Sequence, residues 1–135
     1  MADSQYQICR TSSKVYLSIS GVCLDIDRIT RTLAVAPTKS HRAGDRDALG
    51  GKYNDDLWLL ESPLPPEDVL DAHLGWIKER IAPHCAFIRS LMQTAKVTLS
   101  CDVLSETDQC GFDISPETLD AFVGLGIPLE VTAHL

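Results

Sequence analysis

Two short stretches of the chain repeat one pattern, SGVCLDIDRI at 20–29 and CGFDISPET at 110–118. Each runs from glycine through an apolar residue to Asp-Ile and then to residues that start a helix. Asp25 and Asp113 would form an acid–base pair if they met in one cleft with their proton affinities pushed apart. Aspartate also accepts amide hydrogen bonds where a strand passes into a helix, and the repeated helix-start context favours that capping role. His84-Cys85, with His73 eleven residues earlier, suggests a metal or thiol nucleophile. A nucleophilic cysteine requires a nearby base and an electropositive setting, whereas Cys85 lies in an apolar helical stretch. A buried thiol is the expectation there, and no catalytic residue is assigned.

The remaining chemistry-bearing residues gather in PTKSHRAGDRDALGGKYNDD at 37–56, a long polar run with three glycines. Lys39, His41, Arg42, Arg46 and Lys52 give it a local basic character within a chain of formal charge −7. Arginine's donor fork pairs well with carboxylates and phosphates. The expected binding residues are therefore His41, Arg42, Asp45 and Arg46, with Trp58 just beyond the loop. The rival reading is a small enzyme in which His41, Asp45 and Asp47 act as acid and base. Loops of this length are commonly functional or disordered. The sequence contains no phosphate loop, dinucleotide fingerprint or metalloprotease motif, so no cofactor and no metal is expected.

The elements that must position these residues follow from periodicity. Residues 14–20 alternate, with Val15, Leu17 and Ile19 on one face of a strand. Ile26, Ile29 and Leu33 mark a short helix with Asp25 or Asp27 as its cap, and a short edge strand is expected near the start of the polar loop. LWLLES reads as a strand in which either Leu57 and Leu59 or Trp58 and Leu60 point to the core, the core being the expected place for the tryptophan. Val69, Leu70, His73, Leu74, Ile77 and Ile81 define the stripe of the longest helix, which Pro83 must break. Val97, Leu99, Cys101 and Val103 form the inner face of the next strand. A turn at 105–109 and a short strand at 110–114 follow. Ser115 then caps a helix that turns Leu119, Phe122 and Val123 inward, before a last strand over Leu129–Ala133.

These elements predict an α+β fold in one domain, 1–135, with an ordered core of about 13–134 around the 38–56 loop. Its mostly antiparallel sheet carries helices on one face, in two layers, as an elaborated ferredoxin-like arrangement. One face of the sheet stays open. If Trp58 and Leu60 joined Tyr16 there, the resulting apolar island would favour a homodimer or a protein partner.

Composition narrows the class. Apolar residues make up 44% and charged residues 23%, as in ordinary globular chains. The negative charge disfavours broad nucleic-acid binding, and no apolar run is long enough to span a membrane. The N-terminal residues lack a signal-peptide pattern, so a cytoplasmic location is expected. Five cysteines without a CxxC pair argue against a disulfide framework or a zinc ribbon.

SISGVCLDIDRITRTLAVAPT, Gly44-Asp45, LWLLES and FDISPETLDAFVGLGIPLEV, in that order, resemble the bacterial family called domain of unknown function 4279. The resemblance spans about Lys14 to Val131. It implies a small single domain and supplies no catalytic residue. The resulting expectation is a non-catalytic binding module of the inhibitor or immunity-protein kind, acting through the loop and the open sheet face. Elemental analysis of the purified protein should find no stoichiometric zinc; one zinc per chain would overturn this reading of the His and Cys residues.

Overall fold

The computed structural model describes residues 11–107 and 111–134. Strand β1 covers Thr11–Gly21, helix α1 Ile26–Leu33, β2 Lys39–His41 and β3 Asp56–Glu61. Helix α2 spans Leu70–Ile81 and α3 Cys85–Leu91; β4 covers Ala95–Ser105, α4 Pro116–Leu125 and β5 Leu129–His134. The five strands form one sheet in the order β2-β3-β1-β4-β5.

Strand β1 is central because its period-two pattern suits a buried position between two neighbours. It pairs antiparallel with β3 from Tyr16 to Gly21 and with β4 along its whole length. Consequently β3 and β4 run parallel on either side of β1 and are joined through α2 and α3, a split βαβ connection of the ferredoxin-like kind. β2 adds antiparallel to β3, whereas β5 is parallel to β4 after the α4 crossover. The sheet is therefore mixed, mostly antiparallel, and the fold is α+β.

The core lies on one face of this sheet. Val15, Leu17 and Ile19 meet Trp58 and Leu60 on one side and Val97, Leu99, Cys101 and Val103 on the other, all buried. Trp58 is 0% exposed, and its indole N–H donates to Thr30 Oγ1 at 3.1 Å, which ties β3 to α1. The apolar island proposed for the outer face is thus corrected: Trp58 and Leu60 point inward, while Leu57 and Leu59 are the half-buried outward pair. A strand apolar on both faces gave no alternation by which to choose between them.

Local chemistry accounts for the helix ends. Asp25 accepts from the Arg28 amide at 3.1 Å and caps α1. Its counterpart Asp113 makes no hydrogen bond among the described residues; Ser115 caps α4 by accepting from Thr118 N, with Pro116 in the first turn. Gly126, at φ 74°, closes α4 in the left-handed conformation that glycine adopts without strain. The buried face of α4 is Thr118, Phe122 and Leu125, so the expectation for Leu119 and Val123 is corrected; both are exposed. In α2 the buried stripe is Leu70, His73, Leu74, Ile77 and Ile81, while Val69 stands outside at the helix start. Pro83 sits in a 3₁₀ turn at Ala82–His84 that separates α2 from α3. Of the expected strand at 110–114, residues 111–114 have no strand pairing, and Cys110 lies outside the described residues.

Trp58→Ala should cost about 3–5 kcal/mol in urea unfolding, because it empties the densest part of the core. A loss below about 1 kcal/mol would place the indole elsewhere.

Candidate functional site

The polar segment after α1 forms a second, smaller hairpin. The Gly44 amide donates to Tyr53 O at 2.9 Å and the Tyr53 amide donates to Asp45 O at 3.0 Å. Arg46 pairs antiparallel with Lys52. At the tip, Asp47 Oδ1 accepts from the amides of Leu49 and Gly51, both at 2.9 Å. Gly50 takes the positive φ of 86° that this tight return needs. Asp45, Asp47 and glycine thus supply the turn chemistry that no core could.

Asp56 fastens this hairpin to the rest of the fold. Its buried carboxylate accepts from Leu24 N at 2.8 Å and from Ala43 N at 2.7 Å, and it lies 3.4 Å from Arg42 Nη1. The same arginine nitrogen donates to the Leu24 carbonyl. One carboxylate therefore joins the lead-in to α1, the loop and the first residue of β3. The amides of Ala43 and Leu24 hold its proton affinity below the usual carboxylate range, with a smaller contribution from Arg42, against the opposing effect of burial.

This geometry redistributes the residues expected to bind. Arg42 is occupied by Asp56 and Leu24, and Asp45 accepts from the Arg42 amide at 2.9 Å, so both hold the loop together. Trp58 is in the core and presents nothing to a partner. Arg46 is exposed on the hairpin, and His41 lies on the outer face of the sheet, in register with Leu57. The His41 ring stacks on Tyr53 with centroids 3.5 Å apart and planes 8° from parallel. Lys39 places its ammonium 5.7 Å from the same Tyr53 ring. Tyr53 and Asp56 escaped the sequence reading. A lone aromatic in a polar run was the available signal for Tyr53, while Asp56 resembled any charge bordering a strand.

The acid–base candidates are each committed to structure. Asp45 and Asp47 hold backbone amides. His41 Nδ1 is enclosed without a hydrogen-bond partner among the described residues. His73 is buried between Ser62 Oγ at 2.9 Å and Pro65 O at 3.1 Å; a carbonyl only accepts, so Nε2 donates to it. Burial, assisted by the charge of Asp102, pushes the Cys101 thiol up to about 12, far from a thiolate nucleophile. Among the described residues no three His, Cys, Asp or Glu side chains converge as metal ligands. No helix among them is long and apolar enough to cross a membrane.

Two further features complete the surface. On the outer face, Tyr16 O–H donates to Asp102 Oδ2 at 2.7 Å beside a hollow of about 230 Å³ lined by Lys14, Leu104 and His134. Burial and that hydrogen bond raise the Tyr16 hydroxyl to about 12, so it stays protonated as a donor. At the same end of β1, on the opposite face, a cleft of about 540 Å³ opens between β1, the start of α2 and the 111–116 segment.

The Asp56 arrangement sets a pH dependence. The folded protein binds the Asp56 proton less tightly than the unfolded chain, whose aspartates titrate near about 3.9. Its contribution to stability is complete above that value and is lost as pH falls through the lower folded value. Asp56→Asn should therefore lower the melting temperature at pH 7 and narrow its gap to wild type below pH 4. A gap that is constant with pH would contradict the charged role.

No curated protein and no solved structure matches the chain. The profile of one family matches residues 10–135, from just before β1 to the end of the chain. The chain belongs to the family described as Domain of unknown function (DUF4279).

Proposed function

We propose that this protein is a non-catalytic binding module whose working surface is the preformed loop together with the outer sheet face next to it. The observation that carries this reading is the His41–Tyr53 stack under Lys39, fixed in place by the Asp56 network. In register beside it, His41 faces Leu57 and Lys39 faces Leu59, two half-buried leucines with solvent beyond them. Leu57 is flanked across the sheet by Ser20 and Lys96, and Leu59 by Ser18 and Thr98.

The chemistry of this patch indicates its partner. Flat aromatic and aliphatic groups supply contact area, and Lys39, Arg46, Lys52 and Lys96 border it with positive charge. The chain as a whole is acidic, with a formal net charge of −7, so an acidic protein partner would be steered to this basic region. Because the loop is tied at Leu24, Ala43 and Asp56, little ordering entropy is lost on binding. The commitment of His41, Asp45 and Asp47 to packing and backbone hydrogen bonds supports binding over acid–base catalysis.

Poly-glutamate serves as an acidic probe. In a titration followed by amide NMR, the largest shifts should fall on Lys39, His41, Tyr53, Leu57 and Leu59. Raising the salt concentration should weaken them, since such contacts are screened. Lys39→Glu combined with Arg46→Glu should remove them at unchanged melting temperature. Shifts centred elsewhere, or unaffected by the double charge reversal, would overturn the assignment of this face.

A further inference from the structure

Strand β5 ends the sheet on the side opposite β2 and pairs with β4 alone among the described residues. The Leu99 amide donates to Pro128 O at 3.0 Å, which fixes the phase of this parallel ladder. In such a ladder the N–H and C=O of one residue face one neighbouring strand, and those of the next residue face away from it. Glu130 and Thr132 therefore bond to β4, whereas Leu129, Val131 and Ala133 turn both backbone groups outward. No hydrogen bond from the described residues reaches those outward groups.

The edge carries none of the devices that stop further pairing. Natural edge strands are blunted by lysine, proline, bulges or short length. β5 has six residues, LEVTAH, with no lysine, proline or glycine among them. Its register with β4 is unbroken from Leu129 to His134, so it contains no bulge. Glu130 to His134 are all exposed, and Val131 is 40% exposed although it lies in register with the buried Cys101 on the core side. The other edge of the sheet does not match this one, since β2 has only three residues and leads into the loop held by Asp56.

The order of the side chains selects the occupant. We propose that β5 pairs antiparallel with β5 of a second copy of this chain, across a two-fold axis at Thr132. In that register Val131 of each copy and Ala133 of the other exchange backbone hydrogen bonds, using the outward groups of both. Glu130 of each copy then stands opposite His134 of the other, in the closely spaced positions that share no backbone bonds. An imidazole N–H donates to a carboxylate, and opposite charges facing each other across a strand pair are favourable. An axis at Val131 keeps the backbone phase but sets Glu130 against Thr132 and His134 against Pro128, which leaves the carboxylate without the imidazole. The symmetric contact closes on itself, joining the two five-stranded sheets into one and leaving β2 and its loop free at both ends.

Sedimentation velocity on the full chain tests the assignment. The wild type should pass from monomer to dimer as its concentration rises. Val131→Pro should stay monomeric with the wild-type melting temperature in dilute solution, because it removes an outward N–H that the single chain leaves unused. Glu130→Lys alone and His134→Glu alone should each weaken the dimer about tenfold, since each breaks the matched pair on both sides of the axis. Glu130→Lys combined with His134→Glu in one chain should restore the wild-type dissociation constant. Should Val131→Pro melt early, this charge series decides alone. A wild type that stays monomeric at every concentration, a dimer that Val131→Pro retains, or a double variant that fails to regain affinity would each overturn the proposal.

Discussion

The structure depends on one buried carboxylate. Asp56 begins β3, and from there it accepts the amides of Leu24 and Ala43 with Arg42 beside it. Without it, the segment between α1 and β3 would be left with its own turn hydrogen bonds, the three residues of β2, the Thr38 contacts to Leu59 and Glu61, and the Arg42 bond to the Leu24 carbonyl. A polar run with three glycines buries too little apolar surface to order itself. Asp56 supplies the order by concentrating three donors on one acid, and charge-assisted hydrogen bonds of this kind are stronger than neutral ones. Everything presented by the loop, from the His41–Tyr53 stack to the Lys39 ammonium, inherits its position from that junction.

The second constraint is the central strand. β1 is paired on both sides and alternates buried aliphatics with Tyr16, Ser18 and Ser20, so it divides the molecule into a sealed face and an open one. On the sealed face, Val15, Leu17 and Ile19 accept α2 and the Trp58 indole. On the open face, polar and half-buried groups are aligned in register without helices packed on them among the described residues. The cleft at the N-terminal end of β1 arises where the core side meets the start of α2 and the 111–116 segment.

Much of this fold was legible in the sequence because alternation and helical spacing are local signals. Ile29 and Leu33 located α1, Pro83 located the break before α3, and Val97 through Val103 located the inner face of β4. The failures also have physical causes. LWLLE is apolar at four consecutive positions, so period two could not decide that Trp58 faces in. Leu119 and Val123 share a helix with Phe122, but Thr118 and Leu125 took the inner positions, with the Thr118 hydroxyl satisfied by Ser115. Of the expected site residues, His41 and Arg46 remained at the surface; Arg42 became a fastener because its partners, Leu24 and Asp56, lie at the loop's far ends, and Asp45 accepts the Arg42 amide beside it. No window of sequence displays such a closure. The cleft is still less legible, since its walls come from three distant segments, β1, the start of α2 and residues 111–116.

The central claim is that residues 39–53 form a preformed surface rather than a mobile connector. Amide ¹⁵N relaxation on the wild-type chain tests it directly. Order parameters of about 0.85 at Ala43, Asp45 and Tyr53, equal to those of β1, are predicted. Values below about 0.6 across the loop would show that the Asp56 junction does not hold it, and the account of the surface would fail with it.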